Sequence, residues 1–359
     1  MVWNTPANRS ENIRMVRRVI QLGMVLALAC ATGCGGGSSG SGGGVTPPTP
    51  GGGTFHLYPA PETNGNLVLA HDNNFYYPSW NPKFGNHSAI IQFSPQQTAH
   101  PYIIPRNPIL HNVAVIPTDV ALGLDGNIWF GTYNCMIGSV TPSGTFKEYV
   151  LRSTGLCVTT VGSSTKSTGL WFTEALGGAS NFIGYLKPNG TFVTYPITDK
   201  TSVAPGQIVL GPDGNMWFTD GTQIGKSTLQ GKVTYYDTNP AMAATCIIAG
   251  PDQNLWFCGN SSVAQIGVMT PAGQMVAEYA PGAQTFFLTV GSDGNVWGSN
   301  SPTGGLVRIT TSGALKVFNV PKDKNATPRG VAVGPDSNIW FNTFGTGDTV
   351  GMGTFVLSP

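Results

Sequence analysis

One phrase organises this chain. It stands as GLDGNIWF at 123–130, GPDGNMWF at 211–218, GPDQNLWF at 250–257, GSDGNVWG at 291–298 and GPDSNIWF at 334–341. A looser copy, STKSTGLWF, ends at Phe172, and AHDNNFYY at 70–77 is a degenerate first copy. The tryptophans Trp129, Trp171, Trp217, Trp256, Trp297 and Trp340 recur at intervals of 42, 46, 39, 41 and 43 residues. A period in the low forties, written in β-type residues, predicts propeller blades rather than helical solenoids. Forty-nine glycines in 359 residues fit short strands joined by tight turns.

Each unit can be walked through. An apolar stretch such as QIVLG makes an inner strand A. The residues PDG predict a type I turn with glycine in the left-handed position, which makes the aspartate a turn residue. NMWFT is strand B, and its tryptophan is expected between neighbouring blades, each ring burying on the order of 200 Å². Six such rings are core, not a cofactor box. MIG (136–138), FIG (182–184), QIG (223–225 and 265–267) and TVG (349–351) open strand C. TPSGTFKEYV, KPNGTFVTYPI and TPAGQMVAEYA carry the next turn and the outer strand D. The last unit runs out of chain before a strand D, and GTFHLYPAP (53–61) supplies one that matches GTFKEYV and GTFVTYP. The expected fold is therefore all-β: a seven-bladed β-propeller of four-stranded blades over 54–359. An N-terminal outer strand completes its last blade and leaves no open edge.

Residues 1–34 stand outside that fold. Arg14, Arg17 and Arg18 precede the apolar run VIQLGMVLALACA, too short to span a bilayer comfortably, which reads as a signal-peptide h-region. ALACATGC (27–34) resembles the lipobox of bacterial lipoproteins. Its acylated cysteine would be Cys34, with Cys30 as the alternative; an ordinary secretory signal without lipid is the other reading. Residues 35–53, GGGSSGSGGGVTPPTPGGG, form a Gly/Ser/Pro-rich tether. The expectation is an exported, lipid-anchored protein of the bacterial cell envelope, monomeric, touching the membrane only through its anchor. A net charge of +1 with 10% charged residues gives no reason to expect nucleic acid.

The unit G-P-D-G-N-x-W-F-T-x…I-G-x-x-T-P-x-G-x-x-x-x-Y resembles the virginiamycin B lyase (streptogramin lyase) family of seven-bladed propellers over essentially all of 54–359. The resemblance implies a C–O lyase. A histidine at the start of a strand A, in a P-H-G-I type phrase, removes a proton next to a carbonyl. A magnesium ion held by acidic residues stabilises the charge that develops as the ester bond breaks. Five residues before the glycine that opens the phrase, or the residue aligned with it, this chain carries Gly65, Thr118, Cys157, Gly206, Thr245, Phe286 and Arg329. None is histidine. TPRGVAVG (327–334) is the closest match to the family phrase, and arginine, always protonated, is a poor general base.

Acids do reach the expected mouth. Glu174 (WFTE) and Asp220 (WFTD) follow the aromatic pair of strand B, and Asp119 lies near the start of a strand A. They could hold magnesium (Glu174 and Asp220), orient a polar ligand together with Arg329 and Trp80, or form a solvated rim. A displaced base would come from His111 in the long connection NPILHNVAVIPTD, or from His87 in PSWNPKFGNHSA. Cys246 and Cys258 face each other across one hairpin as an expected disulfide, and Cys135 with Cys157 as a second. With no C-x-x-C motif, redox catalysis and structural zinc have little support. Three functions follow: a propeller binding a small ligand, glycan or envelope protein at its mouth; a magnesium-assisted lyase; and a docking scaffold. The missing strand-A histidine favours the first or third, and clustered carboxylates tilt toward the first.

Overall fold

Each copy of the phrase folds as a hairpin whose aspartate also fixes the tryptophan. At Asp213, Oδ1 accepts the backbone N–H of Asn215 (3.1 Å) and the indole N–H of Trp217 (2.9 Å), while Oδ2 accepts the Asn215 amide (2.9 Å). Asp125, Asp252 and Asp336 repeat this cluster, and in the first copy the Tyr76 hydroxyl replaces the indole, donating to Asp72 at 2.7 Å. A Cβ on Gly211 would overlap the Trp217 ring and crowd the Asp213 carboxylate, which is why the phrase opens with glycine. The turn's left-handed position is Gly214 here (φ 78°) but Gln253 and Ser337 in two later copies (φ 63° and 62°).

The computed structural model describes residues 52–63, 65–80, 87–110, 115–151, 158–166, 168–175, 181–198, 202, 204–238, 242–260, 265–300, 304–321, 326–344 and 351–357. Residues 1–34, with Cys30 and Cys34, lie outside them. The chain divides into Met1–Thr49 and Pro50–Pro359, and all that follows concerns the second unit.

Strand B alternates its two large rings between two neighbours, as a period of two requires. Trp217 packs with Ile247 and Leu255 of the next blade, whereas Phe218 packs with Trp171 and Ile183 of the preceding one. Opposite Phe218 in the ladder stands Gly225, and a Cβ there would lie inside the phenyl ring. Phe130 on Gly138, Phe172 on Gly184, Phe257 on Gly267 and Phe341 on Gly353 repeat the arrangement. The I-G motif is thus a seat for a ring. In the last blade the seat is Gly353, two residues beyond the TVG of the sequence pattern. In the sixth blade the pair is exchanged: Gly298 stands where the phenylalanine would be, and Val307 replaces the glycine opposite.

Seven four-stranded antiparallel sheets result. Blade 4 is representative: Pro205–Leu210 inside, then Met216–Asp220, Gln223–Ser227 and Val233–Asp237 outermost. Blades 1, 2, 3, 5 and 6 occupy 68–103, 117–150, 158–196, 243–279 and 288–319. Blade 7 takes Thr327–Val333, Ile339–Phe344 and Met352–Leu357 from the C-terminal end and its outer strand, Gly53–Tyr58, from the other. Each inner strand contacts the next, and that of blade 7 contacts that of blade 1, so the ring closes. Each interface carries its own hydrophobic cluster, from Tyr76 and Ile90 against Val120 and Phe130 round to Phe75 and Tyr77 against Trp340. The core is a series of layers between blades.

Candidate functional site: the channel mouth

Antiparallel blades place the A–B and C–D turns at one end of the ring and the B–C and D–A connections at the other, the mouth. The inner strands surround a cavity of about 370 Å³, with Asn66, Leu122, Gln207, Phe287 and Val331 in its wall. Side chains near the mouth tie neighbouring inner strands together. Asn66 donates to the Val120 carbonyl (2.7 Å) and accepts its N–H (2.9 Å); Gln207 accepts the Ile247 N–H (2.8 Å). The Thr160 and Thr173 hydroxyls both reach the Gly206 carbonyl, at 2.6 and 2.7 Å. Asn342 accepts the Gly330 N–H (2.7 Å) and donates to the Asn66 carbonyl (3.1 Å), joining blade 7 to blade 1. The sequence signal for these clasps is a polar residue in an otherwise apolar strand A, as in GNLVLA and GQIVLG.

At the strand-A position of blade 7 stands Arg329, its guanidinium 4.7 Å from the ring centroid of Phe286, the equivalent residue of blade 6. Burial lowers its pKa from the ordinary arginine value, and the nearby Tyr133 opposes that shift. Burial in turn raises the Tyr133 hydroxyl, against the influence of Arg329. Blades 2, 6 and 7 thereby share one electrostatic neighbourhood. Spacing placed Phe286 at the strand-A position but did not point to its contact with Arg329, and neither composition nor spacing singled out Tyr133. The equivalent residues of the other blades are Gly65, Thr118, Gly206 and Thr245; Cys157 lies outside the described residues.

The acids are enclosed. Asp220, at the end of its strand B and 1% exposed, accepts from Ser202 Oγ (2.6 Å), the Ala204 N–H (2.8 Å) and the Tyr235 hydroxyl (2.9 Å). Those three donors pin the D–A connection and the outer strand to the blade. Glu174, 2% exposed, holds the corresponding place in blade 3, paired across the sheet with Phe182. Asp119 is buried in its inner strand with Oδ1 lacking a hydrogen-bond partner. Burial raises its pKa to about 7, while the N–H groups of Val161 and Val120 pull the other way. Among the described residues no three His, Cys, Asp or Glu side chains gather around one point. With the Asp220 oxygens taken by protein donors, this donor set does not fit magnesium.

Trp80 and His87, both half-buried, flank the B–C connection of blade 1; His111 lies outside the described residues. Cys246 and Cys258 form a disulfide, Cα atoms 5.0 Å apart at facing positions of their hairpin. Cys135 is also disulfide-bonded.

The sequence profile of the virginiamycin B lyase family matches residues 106–354. No curated protein matches the chain. Among solved structures, virginiamycin B lyase from Staphylococcus aureus superposes with a TM-score of 0.70 at 24% identity, over 85% of this chain and 100% of that one. A streptogramin B lyase gives 0.69 at 23% identity, over 85% and 98%. A catalytically inactive histidine-to-alanine variant of the Staphylococcus aureus enzyme, solved with quinupristin, gives 0.70 at 22% identity, over 85% and 100%. Phrase, blade count and profile agree: the chain belongs to the virginiamycin B lyase family.

Proposed function

We propose that this chain is an exported propeller of the cell envelope that binds a small anionic ligand at its mouth without performing the lyase reaction. The observation that carries this reading is Arg329, seated on Phe286 where a family base would stand. A guanidinium held against an aromatic face offers charge and directional N–H donors to a carboxylate or other oxyanion, and cannot take up a proton at working pH. Tyr133, close enough to Arg329 for their charges to influence each other, adds a hydroxyl to the same neighbourhood. The basic n-region and the lipobox-like ALACATGC support export and attachment through Cys34, with Cys30 as the alternative.

Calorimetric titration of the full chain with small monocarboxylates, sugar acids and inorganic phosphate tests the reading. Saturable binding to one of these is expected, weakened at least tenfold in Arg329→Gln. A parallel incubation with quinupristin, followed by mass spectrometry, is expected to leave the depsipeptide intact. Ring opening would replace the binding role with catalysis. Absence of any anion binding would leave the mouth to a protein partner.

A further inference from the structure

Two blades place one of their own cations on the tryptophan. Lys226 Nζ lies 5.1 Å from the Trp217 ring centroid and 3.0 Å from Asp213 Oδ2. The Arg308 guanidinium lies 5.8 Å from the Trp297 ring, with its Nε 2.8 Å from Asp293 Oδ2. Both cations come from the strand-C residue paired with the tryptophan in the ladder. Each indole also stacks on a strand-D ring, Tyr236 or Phe318. Carboxylate, indole and second ring together make a cation seat.

Blade 2 has the same seat without the cation. Asp125 accepts the Trp129 indole N–H at 3.1 Å, and Trp129 stacks on Tyr149 with centroids 5.7 Å apart. The residue paired with Trp129 is Ser139, too short to cover the ring. Trp129 is half-buried, whereas Trp217 and Trp297 are both 0% exposed, and Trp256 and Trp340, which face the short Val268 and Thr354 without a cation, are 1% and 3% exposed. A cavity of about 210 Å³ opens there, between Asp125, Trp129, Ser139 and Tyr149 on one side and Gly169 and Lys187 of blade 3 on the other. Lys147 lies near enough to Asp125 to feel its charge but does not stand over the indole. It stands over Tyr149 at 5.4 Å, as Lys316 stands over Phe318 at 5.0 Å in blade 6, where Arg308 occupies the indole all the same.

We propose that this cavity, at the end of the ring opposite the mouth, binds an organic monocation. A guanidinium or primary ammonium on a slender stem would lie over Trp129 beside Asp125, where blade 6 holds Arg308. The volume falls below the roughly 300–1,000 Å³ of drug-sized pockets and suits one side chain or a small amine. Lys147 and Lys187 also line the cavity and disfavour added positive charge, so a monocation is preferred over a polyamine. The cation is either a free amine or an arginine or lysine of another protein; the chemistry of the seat is the same.

Propylguanidinium is the probe, titrated into the full chain and read by calorimetry and tryptophan fluorescence. Saturable millimolar binding is expected, weakened at least tenfold in Asp125→Asn, which keeps an acceptor for the indole but loses the charge. Ser139→Arg, which builds the blade 6 arrangement, is expected to abolish binding with circular dichroism unchanged. No saturable binding by the wild type, or undiminished binding by a folded Ser139→Arg, overturns the proposal. Should Ser139→Arg fail to fold, undiminished binding by Asp125→Asn overturns it as well. An acetylated and amidated Gly-Arg-Gly peptide separates the sources: tighter binding than propylguanidinium assigns a protein side chain, weaker binding a free amine, and both support the seat. Arg329→Gln leaves this binding unchanged, which keeps the result independent of the mouth.

Discussion

Trp340 of the last blade stacks on Tyr58 of the first strand, ring centroids 5.6 Å apart and planes inclined by 21°. This is the pair that Trp129 makes with Tyr149 and Trp256 makes with Tyr279 inside single blades. Here it joins the two ends of the chain. Tyr58→Ala removes the ring that covers Trp340 and is expected to lower unfolding free energy by about 2–3 kcal/mol. Deleting 53–58 is expected to expose the edge of Met352–Leu357 and cause association, visible by light scattering. Urea denaturation that leaves Tyr58→Ala as stable as wild type would show that closure does not depend on this contact.

The ring seats give a second prediction. Gly225→Ala places a methyl group inside the Phe218 ring and is expected to cost about 1–3 kcal/mol by overpacking. Phe218→Leu in the same chain vacates part of that space, so the double variant should lose less than the sum of the singles. A double-mutant cycle in urea measures the coupling, and additive losses would contradict the seat. The sixth blade has already made a related exchange, with Gly298 and Val307.

Three copies of the phrase carry a side chain where glycine is at ease, Asn73 (φ 61°) in the first copy among them. Ser337 and Gln253 sit at φ 62° and 63°, while Gly214 holds the same place at 78°. Ser337→Gly relieves left-handed strain, partly offset by added freedom of the unfolded chain, for a net gain of about 0.5–1 kcal/mol. Gly214→Ala should lose about 1 kcal/mol by the same argument reversed. Melting curves of the two variants are expected to move in opposite directions.

The blades were legible because their signals are local and repeated. Turn residues, the Trp-Phe alternation and the I-G step each act within one hairpin, so the period exposes them. The closing strand was legible because GTFHLYP carries the strand-D pattern at the wrong end of the chain. The Gly353 seat was hidden because GMGTF blurs which glycine faces Phe341, and only the ladder decides. The bond from Asp213 to Trp217 was hidden too, since four residues around a turn become neighbours only once the turn type is fixed. The mouth was less legible still. WFTD places Asp220 at the end of a strand, but its donors Ser202 and Ala204 come from a D–A connection that varies from blade to blade. Arg329 met Phe286 through the register of two separate blades, which no short stretch of sequence contains.

Asp119 gives the last prediction. Burial raises its pKa to about 7 in the folded protein, against a value near 3.9 expected in the unfolded chain. Between those values the folded state holds a proton that the unfolded state has released, so stability falls as pH rises from about 4 to 7 and levels off above. Asp213, Asp293 and Asp336 act in the opposite sense. Burial raises each, but hydrogen bonds from asparagine and tryptophan outweigh it and hold them below the ordinary carboxylate value. Their contribution is complete above the unfolded value and is lost as pH drops through the folded one. From these groups stability is therefore expected to peak at about pH 4 to 5, just above the unfolded carboxylate value. Removing the charge in Asp119→Asn should flatten the decline toward pH 7, so that the wild type loses on the order of 2–4 kcal/mol more than the variant between about pH 4 and 7. Urea unfolding of both proteins at intervals from pH 4 to 8 measures it. Parallel profiles would mean that Asp119 stays ionised in the fold, and the carboxylate would then need a partner that its Oδ1 lacks in this structure.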